Sequence, residues 1–215
     1  MSDIRFVIFD FDGTVADTRQ GIFDSITYAL TSYGYEVPEE AVLNSFLGPP
    51  LHESFKRVTS CTDEMAVTLT AKYRELYTDN AMYRLKLFDG MEDVLKELKR
   101  NGIKMAIASS KPEKFFAKLL KHLNIDMYFD VVCGASLGDI HNTKKEIIAR
   151  AMNELSAEKE STVMVGDRVY DIDGAKENGI KSAGVVFGFD YTEELENAGA
   201  DIIVKTAKEL LEEVL

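Results

Sequence analysis

The 215-residue chain has only two cysteines, Cys61 and Cys133. They are too few for a disulfide framework and lack metal-ligand spacing, so they read as small buried thiols in a reducing compartment. No apolar run approaches the length of a membrane span, and the N-terminus lacks a signal-peptide pattern, so a cytoplasmic protein is expected, with no membrane partner. Positive charge is scarce: 25 Lys and Arg stand against 37 Asp and Glu, for a formal net charge of −12. That balance argues against a nucleic-acid polymer as partner, because phosphate-backbone binding needs concentrated Lys and Arg. An anionic substrate would need a local positive site in this acidic field, supplied by a metal ion, a lysine or a helix N-terminus. Repeats, low-complexity tracts and Pro/Gly-rich linkers are absent. The three histidines, His52, His122 and His141, are scattered and read as exposed or capping groups, with His141 the one nearest a motif. The eight methionines fall mostly among apolar residues and read as core filling.

What the chain does have is a change of rhythm. Ile4-Arg5-Phe6-Val7-Ile8-Phe9 reads as a buried strand. Residues 18–80 then read as helical, with Ile22, Ile26, Ala29 and Tyr33 on one face, as are Leu51, Phe55 and Val58, and again Met65, Leu69, Tyr73 and Leu76. Breaks fall at Gly34 and near Gly48-Pro49-Pro50, so about four short helices in a bundle are expected. From Leu87 onward strands alternate with helices. The strands are expected at Ile103–Ser109, Val131–Gly134, Thr162–Gly166, Ser182–Phe187 and Ile202–Val204, the helices around 91–100, 112–123, 144–155, 172–178 and 206–214. Such alternation predicts an α/β fold with a Rossmann-like parallel sheet, residues 1–15 and 85–215, interrupted by a helical insertion at 16–84.

Ligands of open parallel sheets bind at the carboxyl ends of the strands, and four such places carry polar groups. The first strand ends in Asp10-Phe11-Asp12-Gly13-Thr14, where two acids on one side of a strand repel unless a cation or proton lies between them. The strand from Ile103 runs into Ser109-Ser110-Lys111-Pro112-Glu113. Ser110 and Glu113 have capping-box spacing, and Ser109 stands where a hydroxyl and nearby N–H groups can hold an anion. Ser110 is open between cap and function, and Lys111 between a second active-site cation and the surface. In Asn142-Thr143-Lys144-Lys145-Glu146, a capping box from Thr143 to Glu146 places Lys144 in a first helical turn, a poor place for a cation unless it faces acids or phosphate. Finally Val163-Met164-Val165-Gly166-Asp167 ends a strand, and Asp171 follows four residues later. Four acids near one edge, with no His or Cys partner, point to Mg2+ rather than Zn2+. Asp173 reads as exposed.

In order and content these motifs resemble the haloacid dehalogenase superfamily of phosphohydrolases over essentially the whole chain, with the insertion in the position of that family's cap. The resemblance implies a phosphatase in which Asp10 is the nucleophile that forms an aspartyl-phosphate and Asp12 the acid and base. It implies that Mg2+ is held by Asp10, Asp167 and the main-chain carbonyl of Asp12, with Asp171 orienting metal-bound water. Ser109, Lys144 and first-turn N–H groups, Phe11 among them, would bind the phosphoryl oxygens, with Ser110 beside them. An aspartate at position 12 speaks against the dehalogenase branch. Phe46-Leu47-Gly48-Pro49-Pro50-Leu51, followed by Ser54-Phe55 and Arg57, looks like the cap segment of phosphoglycolate phosphatase-like and 5′-nucleotidase-like members. Gly48, Pro49 and Arg57 are then candidates for substrate contact, against a plain helix connection and a solvated arginine. The expected substrate is a small phosphorylated metabolite, phosphoglycolate-like or a nucleoside monophosphate. A phosphomutase of the β-phosphoglucomutase type is the alternative, and a non-catalytic binding protein the minor one.

Overall fold

The computed structural model describes residues 3–136, 143–189 and 191–215. His141 and Asn142 lie outside the described residues. The chain opens with β1 (Phe6–Phe9) and the two-residue β2 (Ala16–Asp17). Four helices follow, α1 (Arg19–Ser32), α2 (Glu40–Asn44), α3 (Leu51–Thr59) and α4 (Asp63–Asp79), then a 3-10 turn at Ala81–Tyr83 and β3 (Lys86–Leu87). After these come α5 (Met91–Arg100), β4 (Lys104–Pro112), α6 (Phe116–His122), β5 (Val131–Ala135), α7 (Lys144–Leu155) and β6 (Thr162–Gly166). The described chain closes with α8 (Val169–Asn178), β7 (Lys181–Val185), α9 (Thr192–Ala198), β8 (Ile202–Val204) and α10 (Ala207–Val214). Two compact units result, Met1–Asp17 with Lys86–Leu215, and Thr18–Leu85.

In the first unit six strands form a parallel sheet in the order β5-β4-β1-β6-β7-β8. Val7, Ile8 and Phe9 of β1, Met105–Ala108 of β4 and Val163–Val165 of β6 are buried without exception. Unbroken apolar runs of this kind mark strands covered on both faces, each large side chain contributing roughly 1.5–3 kcal/mol of burial. One face is sealed by Ile147, Ile148, Ala151 and Met152 of α7 and by Ala175 of α8, packed on Ile8, Ala106, Ala108 and Met164. The antiparallel pair β2–β3 marks where the chain leaves this unit and returns to it.

The helical unit buries Ile22, Ile26, Ala29 and Leu30 of α1, Phe55 of α3, and Ala66, Leu69, Tyr73 and Tyr77 of α4. Tyr33, expected on the buried face of α1, is exposed, because the helix ends at Ser32 and Gly34 turns the chain away with φ +75°. Two further expectations are corrected at the sheet. β4 does not stop at Ser109 but continues to Pro112, slipping register against β5 between Ala108 and Pro112. The Ser110–Glu113 capping box is therefore not made: Ser110 is exposed on the strand, and Glu113 accepts the Gly134 N–H at 3.1 Å and pairs with Arg150 at 2.6 Å. The helix expected from 172 starts at Val169, which brings Asp171 into its first turn, where the helix dipole favours an acid.

Candidate active site

β1 lies between β4 and β6, so the loops leaving these three strands converge at one edge of the sheet. Phe9 is level with Ile107 and with Val165, which sets Asp10, Ser109 and Asp167 just beyond the same line. After Asp10 the chain makes a tight turn in which the Phe11 carbonyl accepts the N–H groups of Val15 and Ala16. Gly13 adopts φ +86°, and a Cβ there would stand 2.3 Å from Asp167 Oδ2 and 2.6 Å from the Phe189 ring. Only glycine fits so close an approach in that conformation. Phe11 itself is buried, its ring edge-on to Phe116 with centroids 5.3 Å apart.

Lys144 is brought in by α7. The expected capping box is present: Thr143 Oγ1 accepts the Glu146 N–H at 3.3 Å, and Glu146 Oε2 accepts the Thr143 N–H at 2.8 Å. Thr143 at this N-cap contributes about 1 kcal/mol. Gly174 lets α8 lie against this first turn, since a Cβ there would meet Ile148 Cδ1 at 2.8 Å. Lys144 Nζ consequently sits 2.8 Å from Asp10 Oδ1 and 2.7 Å from Asp171 Oδ1, all three groups buried. Burial opposes the ammonium charge, yet Asp10 and Asp171 outweigh it and hold the Lys144 pKa above its ordinary value. Gly166 makes room for the third member, as a Cβ there would be 2.2 Å from Asp171 Cγ. Lys145, its neighbour, is exposed and pairs with Glu177.

The carboxylates of Asp10, Asp167 and Asp171 each place an oxygen within 4.8 Å of the others, the one such buried cluster found among the described residues. Burial, then the charges of Asp10 and Asp171, drives the Asp167 pKa well above the usual carboxylate range, although Thr14 Oγ1 donates to its Oδ1 at 3.0 Å. Asp167 Oδ2 is buried and has no hydrogen-bond partner among the described residues. Asp171 is pushed up to about 6 by burial, with Lys144 pulling it down and Asp10 raising it. Its other oxygen accepts the Arg168 N–H at 3.1 Å. A buried carboxylate oxygen with no donor is costly by several kcal/mol, a cost that a hard divalent cation would relieve. The donor set fits Mg2+: all oxygen, buried, and crowded.

Asp12 behaves differently. Its carboxylate faces Lys111, whose Nζ lies 3.0 Å from Oδ1 and 2.8 Å from Oδ2. The Lys111 side chain is 6% exposed, so it is an interior cation of the site and not a surface lysine. Ser109 is buried, and its Oγ accepts the Lys111 N–H at 3.3 Å, which leaves its own O–H to donate elsewhere. Four carboxyl groups thus meet two ammonium groups, so acids outnumber cations at this edge. Arg168 pairs with Glu194 at 2.8 Å and stacks on Tyr191.

The structure brings together Asp10, Lys144, Asp167 and Asp171 as one cluster, and Asp12 with Lys111 as a pair. Ser109 joins the pair through its hydroxyl. Ser110 is exposed, Asp173 is exposed, and within the helical unit Arg57 is exposed and donates to Ser45 O at 2.8 Å. Gly48 is exposed with φ +100° and Pro49 half-buried. Thr14, which bonds Asp167, was not singled out by sequence reasoning; the signal was its place directly after the turn glycine.

The sequence matches the haloacid dehalogenase-like hydrolases over residues 7–185. A tyrosine-protein kinase named PtkA from Mycobacterium tuberculosis is 33% identical over 203 residues, 94% of this chain and 69% of that protein. A 5′-nucleotidase from Pseudomonas aeruginosa is 33% identical over 189 residues, 88% of this chain and 86% of that one. Among solved structures, a haloacid dehalogenase-like family hydrolase from Streptococcus pneumoniae superposes with a TM-score of 0.92 at 29% identity, with both chains covered completely. With 179 matched residues spanning the acid cluster and both site lysines, the chain belongs to the haloacid dehalogenase-like hydrolases.

Proposed function

We propose that the protein is a Mg2+-dependent phosphatase that hydrolyses a small phosphomonoester through an aspartyl-phosphate on Asp10. The observation that carries this reading is the buried cluster of Asp10, Asp167 and Asp171, with Lys144 paired to Asp10 and Asp171 and Lys111 paired to Asp12. Asp10, Asp167 and the main-chain carbonyl of Asp12 would hold Mg2+, with Asp171 beside them. The ion, when bound, offsets negative charge on the phosphoryl oxygens. Asp10 attacks phosphorus with one carboxylate oxygen. Asp12 donates a proton to the leaving oxygen and later takes one from the water that cleaves the acyl phosphate. Lys144, the Ser109 hydroxyl and N–H groups of the Phe11 turn bind the phosphoryl oxygens as charge redistributes.

Choice of leaving group is assigned to the helical unit, through the Gly48-Pro49 turn, with Arg57 its nearby cation. The 5′-nucleotidase relative and the cap-segment resemblance together favour a nucleoside monophosphate or a phosphoglycolate-like substrate. The test is release of inorganic phosphate from a panel of phosphomonoesters, with Mg2+ and with chelator, by the wild type and Asp10→Asn. Turnover that needs Mg2+ and falls by about 10⁴-fold or more in the variant is expected. Full activity in Asp10→Asn overturns the nucleophile, and phosphoryl transfer to a sugar hydroxyl without phosphate release overturns the hydrolase reading.

A further inference from the structure

We propose that Lys111 is the positioning residue for Asp12, fixing its carboxylate for proton transfer and stabilising the charge it gains on giving the proton up. The proposal rests on the reading of Asp12 as the acid. Three features carry it. First, Lys111 Nζ contacts both oxygens of Asp12, at 3.0 and 2.8 Å, which sets the orientation of the carboxylate as well as its charge. Second, the lysine is the more deeply placed partner, 6% exposed against 25% for Asp12, so the pair is anchored at the lysine end.

Third, the backbone around Lys111 is built to deliver it. The register slip between Ala108 and Pro112 turns the end of β4, and the Ser109 hydroxyl accepts the Lys111 N–H. Gly134 of β5 permits that path: a Cβ there would stand 2.7 Å from the Lys111 carbonyl oxygen and 2.6 Å from the Glu113 backbone. Glu113 then closes the edge by accepting the Gly134 N–H.

The two lysines therefore divide the acids. Lys144 pairs with Asp10 and Asp171 of the buried cluster, while Lys111 pairs with Asp12. In the first chemical step a bond forms between Asp10 and phosphorus as the bond from phosphorus to the ester oxygen breaks. Its electron pair stays on that oxygen, which takes the proton of Asp12. Asp12 ends the step as a carboxylate, so an ammonium already at hydrogen-bond distance stabilises the transition state more than the ground state.

The test exploits leaving groups of different basicity. An alkoxide leaves poorly without a proton, whereas p-nitrophenolate leaves readily. Wild type, Lys111→Met, Lys111→Arg and Asp12→Asn are compared by kcat/KM, which covers only the steps through phosphoryl transfer, on ethyl phosphate and on p-nitrophenyl phosphate with Mg2+. The ratio of ethyl to p-nitrophenyl kcat/KM is expected to fall at least about tenfold in Lys111→Met and further in Asp12→Asn. Lys111→Arg is expected to recover part of it, because a guanidinium also contacts both carboxylate oxygens. An equal loss on both substrates in Lys111→Met would make the lysine a phosphate-binding or structural group and overturn the proposal. So would an unchanged ratio in Lys111→Met while Asp12→Asn shifts it, leaving the acid role intact. If Asp12→Asn itself fails to shift the ratio, the acid role is lost and the proposal with it.

Discussion

At the carboxyl edge of the sheet, polar side chains pair across long stretches of chain, while in the helical unit they mostly pair with near neighbours. Lys111 reaches Asp12 across 99 positions and Thr14 reaches Asp167 across 153. In the helical unit Gln20 bonds Asp24, Lys56 pairs with Asp63, Lys72 with Glu75, and Arg57 with Ser45 twelve positions back. Arg84 with Asp24 spans 60, and that pair is exposed. Exposed local pairs are worth about 0.2–1 kcal/mol and cost little to form. Long-range buried pairs exist only because the sheet has already met the cost of closing the loops between them, so they report what the fold holds in place for chemistry.

The largest effect should follow from removing the cation on which two buried acids depend. Lys144→Met leaves Asp10 and Asp171 without it, and breaking a buried ion pair from one side typically costs about 3–5 kcal/mol. Denaturant unfolding without metal should register that loss, with turnover abolished at any stability. By contrast Lys72→Met, which breaks the exposed pair with Glu75, should shift stability by no more than about 0.5 kcal/mol. A small effect at Lys144 would mean that the cluster is protonated and not ion-paired, and the contrast between the two regions would fail.

Glycines sharpen the same contrast, because similar backbone conformations occur in both places. Gly13 at φ +86° has Asp167 Oδ2 only 2.3 Å from where a Cβ would be, whereas Gly34 at φ +75° has nothing within 4 Å. Alanine at Gly34 should cost about 1 kcal/mol from the backbone alone and leave Mg2+ activation unchanged. Alanine at Gly13 should cost about 1–3 kcal/mol and raise the Mg2+ concentration needed for half-maximal activity, since Asp167 must move. Equal Mg2+ requirements in the two variants would remove Asp167 from the metal site.

Much of this edge was legible in the sequence because strand ends and helix starts announce themselves. β6 and β8 run over Thr162–Gly166 and Ile202–Val204 as the apolar runs indicate, and Thr143 with Glu146 forms the capping box that its spacing implies. Lys111 and Ser110 were not resolved, for one physical reason. A capping box can be read from two residues, but whether a strand continues past its apolar run depends on pairing with β5, 20 or more positions away, and on Gly134 leaving room. The partners of Lys144 were legible as acids but not as geometry, because Gly174 and Gly166, which permit the approach, look like ordinary glycines in a string of letters.

Acids in the two regions should also respond to pH with opposite sign. Asp167 and Asp171 bind protons more tightly when folded than unfolded, so metal-free stability falls as pH rises from the unfolded value of 3.8 to about 6 for Asp171, and further for Asp167. Asp63, lowered by its hydrogen bond from Lys56, contributes stability that is present above 3.8 and lost as pH falls. Lys144, raised, contributes in full throughout the acid range and loses its share only above 10.5. Because a cation takes the place of those core protons, Mg2+ should raise Tm more at pH 7 than at pH 5. A Tm increment that is the same at both values would separate the metal from Asp167 and Asp171.

An effect on stability as small as that at Lys72 is expected at Arg57, and this residue decides whether the helical unit takes part in substrate choice. The guanidinium is exposed and donates from Nη2 to the Ser45 carbonyl at 2.8 Å and the Ser45 hydroxyl at 3.0 Å. Both acceptors are neutral, so an anionic group on a leaving portion would compete well for it. Arg57→Ala should therefore change unfolding free energy by no more than about 0.5 kcal/mol. Loss of one charge-assisted contact, about 1.5 kcal/mol, should raise KM roughly tenfold for a substrate whose leaving group bears a carboxylate, with kcat kept. Ethyl phosphate, which has no such group, should show a smaller rise. If KM rises equally for both, Arg57 acts on the phosphoryl group common to them. If neither changes, its bonds to Ser45 tie α3 to the turn after α2, and the helical unit reads its substrate elsewhere.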